Sequence, residues 1–296
     1  MKKQWTLPLT AVLGGAAAFA LRLVQNRTGF ESATGLPISG SAAGTALAVL
    51  LAALAVLLLL LVRQLPRETE QGPAFPADFS TGGTRLLTLP VIGVFLMALS
   101  GLADLYEGLG LGSLLAQMSA AAAGPGYGET PVLLGGSAGF SARTQLLMGL
   151  LSILSAAGLF FSLLACRSKA GPAPKAFNGN FLLLPPVALV VRLVLTYRID
   201  SVNPALAAYY VELLALVFLT LGFYRLSSFA FRSGRTRRFA LYAGAAAVLS
   251  IATLADGSPY LSSILLYTGG ALTLLGFLLL RLAARPQAGD DSAIIA

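Results

Sequence analysis

The sequence contains no histidine and one cysteine, Cys166. The first absence removes Ser-His and Cys-His catalytic pairs together with the commonest metal ligand, and the second removes every intramolecular disulfide. Charge is scarce as well: Asp, Glu, Lys and Arg make up 11% of the 296 residues, where soluble domains carry about a quarter. With 56% apolar residues and a mean hydropathy of +0.81, an ordinary soluble fold, a disordered chain, a coiled coil and collagen are all excluded. The pI near 9.9 raises nucleic acid as a partner, but the basic residues lie scattered between apolar blocks, so none is expected. What remains supplies no catalytic constellation, and no metal or cofactor is expected.

Long apolar runs are what the chain has in abundance. A helix needs roughly 20 apolar residues to cross about 30 Å of hydrocarbon. Eight segments qualify: Trp5–Val24, Ala42–Val62, Leu86–Ala103, Thr144–Cys166, Phe181–Tyr197, Pro204–Tyr224, Phe239–Ala255 and Tyr260–Leu282. The fold expected is all-α, a polytopic membrane protein forming one transmembrane domain, with 283–296 as a cytoplasmic tail. Asn203 before Pro204 and Ser258 before Pro259 match helix starts, where proline's missing N–H costs nothing. Fifteen of the 20 Lys and Arg residues, including all four lysines, fall on the side that carries both termini. That bias predicts cytoplasmic termini.

Two segments could alter the count. Lys2-Lys3, an apolar run and Ala18-Phe19-Ala20 are laid out like a signal peptide, but the run continues past that point to Val24, so an uncleaved helix is expected. Leu109–Ala123 is short for a span, and adding it would reverse the charge bias of everything after it. It is read as a helix on the outer face or dipping into it. Gly108-Leu109-Gly110-Leu111-Gly112 lacks the Lys-Ser/Thr and the βαβ setting of a phosphate loop and is discounted.

The polar stretch 167–180 divides the spans four and four, into halves 1–166 and 181–282. Arg22-Leu23-Val24 closes the first span and Arg192-Leu193-Val194 lies in the outer part of the fifth; Leu102-Ala103-Asp104 ends the third and Leu254-Ala255-Asp256 the seventh. Equivalent positions in both cases suggest two parallel four-helix repeats, an arrangement that transporters use with sites at the repeat interface. The small residues of Gly14–Ala18 and Gly244–Ala247 suit close helix packing.

Charge inside a span costs roughly 2.5–3.5 kcal/mol at the helix centre, so each such residue needs a partner. Arg192 and Glu212 lie at matched depth, about 12 Å below the turn of one helical hairpin, and an ion pair between them is predicted. Pro185-Pro186 is expected to kink the fifth span beside it. Arg192, Glu212 and Arg22 are the candidate substrate-binding residues, either lining an outward polar cavity or fixing helix register. Asp104, Arg198, Asp200 and Asp256 are read as ordinary helix-end charges at the water boundary. Arg232, Arg235, Arg237 and Arg238 form a basic loop that serves as a topology determinant or meets anionic lipid headgroups. Tyr106, Tyr127, Tyr197, Tyr209, Tyr210 and Tyr260 are placed like an aromatic belt near the outer boundary.

Pro8, Gly14-Gly15, Leu21-Arg22 and Gly29-Phe30-Glu31-Ser32-Ala33-Thr34-Gly35-Leu36-Pro37, with Asn203-Pro204 through Glu212-Leu213-Leu214, make a further pattern. The chain resembles in these stretches a family of uncharacterised multi-pass membrane proteins of gut clostridia. The resemblance implies a bacterial cytoplasmic membrane and carries no activity with it. The function expected is small-solute or ion binding or translocation through a polar site in the outer half of the bundle. A non-transporting scaffold, sensor module or complex subunit, with a protein partner or a second copy of the chain, is the alternative, and an intramembrane enzyme ranks last.

Overall fold

The computed structural model describes residues 2–31, 36–38, 40–65, 75–80, 84–111, 140–167, 178–200, 206–257 and 261–284. Among them are eight long helices: α1 (Lys2–Thr28), α2 (Ala42–Arg63), α3 (Thr88–Gly108), α4 (Ala142–Arg167), α5 (Leu184–Asp200), α6 (Leu206–Ser227), α7 (Thr236–Thr253) and α8 (Leu261–Ala283). All eight are long and apolar enough to cross a membrane, and no strand occurs among the described residues. The chain is an all-α polytopic membrane protein. Most of 109–123, the 203–204 and 258–259 cap pairs and the tail from 285 lie outside the described residues.

Local chemistry accounts for the helix limits. Ser41 caps α2 by accepting from the Gly44 N–H at 3.4 Å, ahead of an unbroken Leu/Ala/Val run. Helix α1 runs unbroken from Lys2 through Arg22 to Thr28. The two prolines expected to kink the fifth span instead start it. A 3₁₀ turn (Gly179–Leu183) leads into α5, and Pro185-Pro186 occupy its first turn, where no backbone donor is lost.

Packing sorts the helices by burial. In α8, 78% of the span is buried inside the protein, against 22% for α2, so α8 is central and α2 peripheral. Helix α3 packs closely on α8 and α4, while α7 packs on α6, α1 and α8. The exposed apolar side chains, among them Leu13, Val49, Phe95, Leu150 and Val194, face outward, where lipid takes the place of a core. Small residues set the closest approaches. A Cβ on Gly15 of α1 would meet Ile251 of α7 at 2.8 Å, in keeping with the packing expected of the small-residue runs. At Gly93 of α3 a Cβ would lie 2.5 Å from the Thr273 nitrogen and 2.7 Å from the Gly269 carbonyl of α8. Backbone cannot yield there as a side chain can. Gly93→Ala is therefore expected to destabilise the bundle by about 1–3 kcal/mol, read as a shift of the unfolding midpoint in lipid nanodiscs.

The end of the bundle that carries Lys2 and Ala283 is packed shut by the connection between α2 and α3. Phe79, fully buried, sits 5.1 Å from the ring centroid of Phe229, 6.0 Å from Phe277 and 6.5 Å from Phe239. Arg281 of α8 closes over this cluster, with Nε donating to Thr236 at 2.9 Å and Nη1 to the Asp78 carbonyl at 3.1 Å. Its guanidinium also lies over the Phe229 ring at 5.9 Å.

Candidate functional site

Two buried arginines organise the polar interior, both toward the end opposite the termini. Arg192 of α5 is 5% exposed and donates from Nη1 to Asp104 Oδ2 at 2.8 Å and from Nη2 to the Ser263 hydroxyl at 3.3 Å. The predicted Arg192–Glu212 ion pair is not formed. Depth along a hairpin constrains one coordinate only, and the face of α5 bearing Arg192 turns toward α3 and α8. Glu212 of α6 instead accepts from the Tyr267 hydroxyl at 2.8 Å. Tyr267 lies one turn beyond Ser263 on α8, so Glu212 stands a layer behind the pair.

Asp104 is not a boundary charge, whereas Asp256 does end its helical segment and its side chain is 17% exposed. Asp104 is 2% exposed because α3 continues past Ala103 to Gly108, which keeps its last acidic turn inside the protein. Three residues on, Glu107 shares the same face of α3. Its Oε2 accepts from Gln145 of α4 at 3.1 Å, while Oε1 is buried with no hydrogen-bond partner. Asp104, Glu107, Gln145, Arg192, Ser262 and Ser263, with Phe140 and Met148, line a small, partly open pocket with a volume of about 10 Å³, room for about one water-sized group. Ser262 is held there by its carbonyl, which accepts from Ser100 at 2.7 Å.

The second arginine forms a separate cluster. Arg22 is fully buried; its Nε donates to Asp256 Oδ1 at 2.5 Å and its Nη1 to Gln25 at 3.0 Å, and it lies over the Tyr210 ring at 5.4 Å. Asn26 donates to the same Oδ1 at 3.0 Å, whereas Asp256 Oδ2 is buried with no hydrogen-bond partner. Both Arg–Asp pairs cross from one half of the chain to the other. The arginine of each Arg-Leu-Val tripeptide takes the aspartate of the other half's Leu-Ala-Asp.

Arg198 is exposed at the end of α5, as a helix-end charge should be. In the basic loop, Arg232, Arg235 and Arg238 are exposed. Arg237 departs from that set. Its Nε donates to the Leu65 carbonyl at 2.7 Å, and an Nη atom donates to the carbonyls of Leu65 and Arg63, so it caps the C-terminus of α2.

Sequence reasoning missed Glu107, Gln145, Ser263 and Tyr267. The one available signal is the Asp104/Glu107 spacing of three, which lies beyond a third span that ends at Ala103. Among the described residues no group of His, Cys, Asp and Glu could hold a metal ion.

Eight helices long and apolar enough to span a membrane, with Arg22, Asp104 and Arg192 buried among them, define the class: a polytopic α-helical membrane protein with polar groups in its interior. Comparison with protein-family models, with curated proteins and with solved structures returned no match.

Proposed function

We propose that the protein binds, and moves across the membrane, a small solute or ion through the pocket bounded by Asp104, Glu107, Gln145, Arg192 and Ser263. The observation that carries this reading is the buried Glu107 carboxylate oxygen with no hydrogen-bond partner, in the wall of a partly open pocket beside an ion pair. Burial of an unsatisfied anionic acceptor is unfavourable unless something completes it, and a bound ligand is such a group. Arg22 and Glu212 belong to this reading as support: one in the matching Arg–Asp pair, the other behind Tyr267. The exchange of partners between the two pairs supports an internal duplication, which would put the pocket at the contact of two related halves.

The charge bias supports termini on the cytoplasmic side of the membrane, with Arg232, Arg235 and Arg238 against anionic headgroups.

The test is a thermal-shift panel of inorganic ions and small metabolites on protein in lipid nanodiscs, with Glu107→Gln alongside. A ligand at 100 times its Kd stabilises by about 2.7 kcal/mol, which moves the midpoint of a chain this size by a few degrees. The expected result is a compound that shifts the wild type and not Glu107→Gln. Silence from a folded sample across the panel would overturn the solute reading in favour of a scaffold or subunit.

A further inference from the structure

The end of the bundle that carries the termini is strongly one-signed. Among the described residues it holds nine arginines against a single carboxylate, Asp78. Two of the nine, Arg237 and Arg281, are occupied with backbone carbonyls. Arg225 is held in another way. It lies in the last turn of α6, with its guanidinium carbon 5.4 Å from the ring centroid of Tyr224 and 5.6 Å from that of Tyr242 on α7. Its carbonyl accepts from the Ser228 hydroxyl at 2.6 Å, but its guanidinium makes no hydrogen bond and no ion pair, and Nε is buried with no acceptor.

Ring faces attract the cation but accept little from its N–H groups, so the planar fork of donors is restrained and unused. Such a fork matches two oxygens of a phosphate, which a lysine's single ammonium does not. Arg238 precedes Tyr242 by one turn on the same face of α7 and is exposed, which places a second cation beside the first. The position decides the source of the phosphate. The spanning stretch ends at Ser227, and Tyr224 is 51% exposed on its outward face, where rings sit at headgroup level. A phosphate bound there, with apolar chains running down the exposed helix surface, is that of a lipid.

We propose that Arg225, restrained by Tyr224 and Tyr242 and assisted by Arg238, binds the phosphate of an anionic phospholipid. The slot narrows the headgroup contact assigned above to the basic loop, rests on that membrane placement, and is independent of the solute site.

The experiment is native mass spectrometry of the purified chain titrated with phosphatidylglycerol and, separately, phosphatidylcholine. Wild type should retain phosphatidylglycerol preferentially. Arg225→Leu should weaken that retention by about tenfold or more, the scale of a lost charged hydrogen bond. Arg225→Lys, which preserves charge and is the milder change for folding, should fall between. Arg232→Leu/Arg235→Leu, two charges removed from the loop alone, should weaken retention less than Arg225→Leu does. Equal losses in the loop and Arg225 variants would mean diffuse attraction and overturn the slot while leaving the loop contact standing. Wild-type retention in both Arg225 variants and in the loop variant would overturn both. Displacement of the lipid by inorganic phosphate at equal concentration would reassign the slot to a soluble anion and overturn the lipid.

Discussion

Arg192→Leu and Asp104→Leu are each expected to destabilise the bundle by about 3–5 kcal/mol, and the double variant to recover most of that loss. Each single change leaves the other charge buried with its desolvation uncompensated, since Arg192 and Asp104 are both almost wholly shielded from solvent. The double change removes both charges together, so neither is left buried without its partner, and replacing a buried ion pair by apolar volume is often neutral for stability. Unfolding of the four proteins of the cycle, followed by denaturant or heat in nanodiscs, isolates the coupling. Arg192→Leu combined with Glu212→Leu is the informative control. Arg192 makes its contacts with Asp104 and Ser263, so these two changes should come closer to adding. Additive losses for Arg192 and Asp104 would mean that the pair contributes nothing as a pair.

Phe79→Ala is expected to cost about 3–5 kcal/mol, the range for removing a fully enclosed aromatic ring. Phe79 comes from a short 3₁₀ turn (Ala77–Phe79) in the link between α2 and α3, yet it is surrounded by rings from α7, α8 and the segment after α6. Neighbours anchored in two helices and in the turn after α6 cannot all collapse into the space left behind. The thermal midpoint should fall by several degrees, and Phe79→Leu, which retains most of the volume, should recover much of it. A Phe79→Ala midpoint equal to wild type would mean that the link does not hold this end together. Under the proposed function the contrast between the two ends has a use: one is filled by the Phe79 cluster, and the other holds the pocket beside Arg192.

The eight spans were legible from the sequence because they depend on a local quantity, the length of an apolar run set against the thickness of hydrocarbon. The spans assigned from composition match α1 to α8 to within a few residues at most ends, and the small residues at Gly14-Gly15 lie at a helix contact as expected. Errors arose where a buried polar residue looked like a boundary. Ending the third span at Ala103 removed Asp104 and Glu107 from the interior, because hydropathy does not distinguish a charge facing water from one facing a partner. Pro185-Pro186 misled in the opposite sense, since a helix start and a kink carry the same residues.

That Arg192 and Arg22 need partners is also written in the sequence, since a cation among apolar residues is costly wherever the chain goes. Which acids answer them is a property of the assembled bundle. Glu212 and Asp104 are both plausible by depth, and the choice depends on which face of α5 meets which helix. That rotation follows from packing over long sequence distances, including the backbone contact of Gly93 with α8, and so Arg192 finds its acid 88 residues away. The same holds for Arg237, whose acceptor at Leu65 lies 172 residues back. An apolar run decides that a helix spans the membrane; only the packing of all eight decides what its charged residues touch.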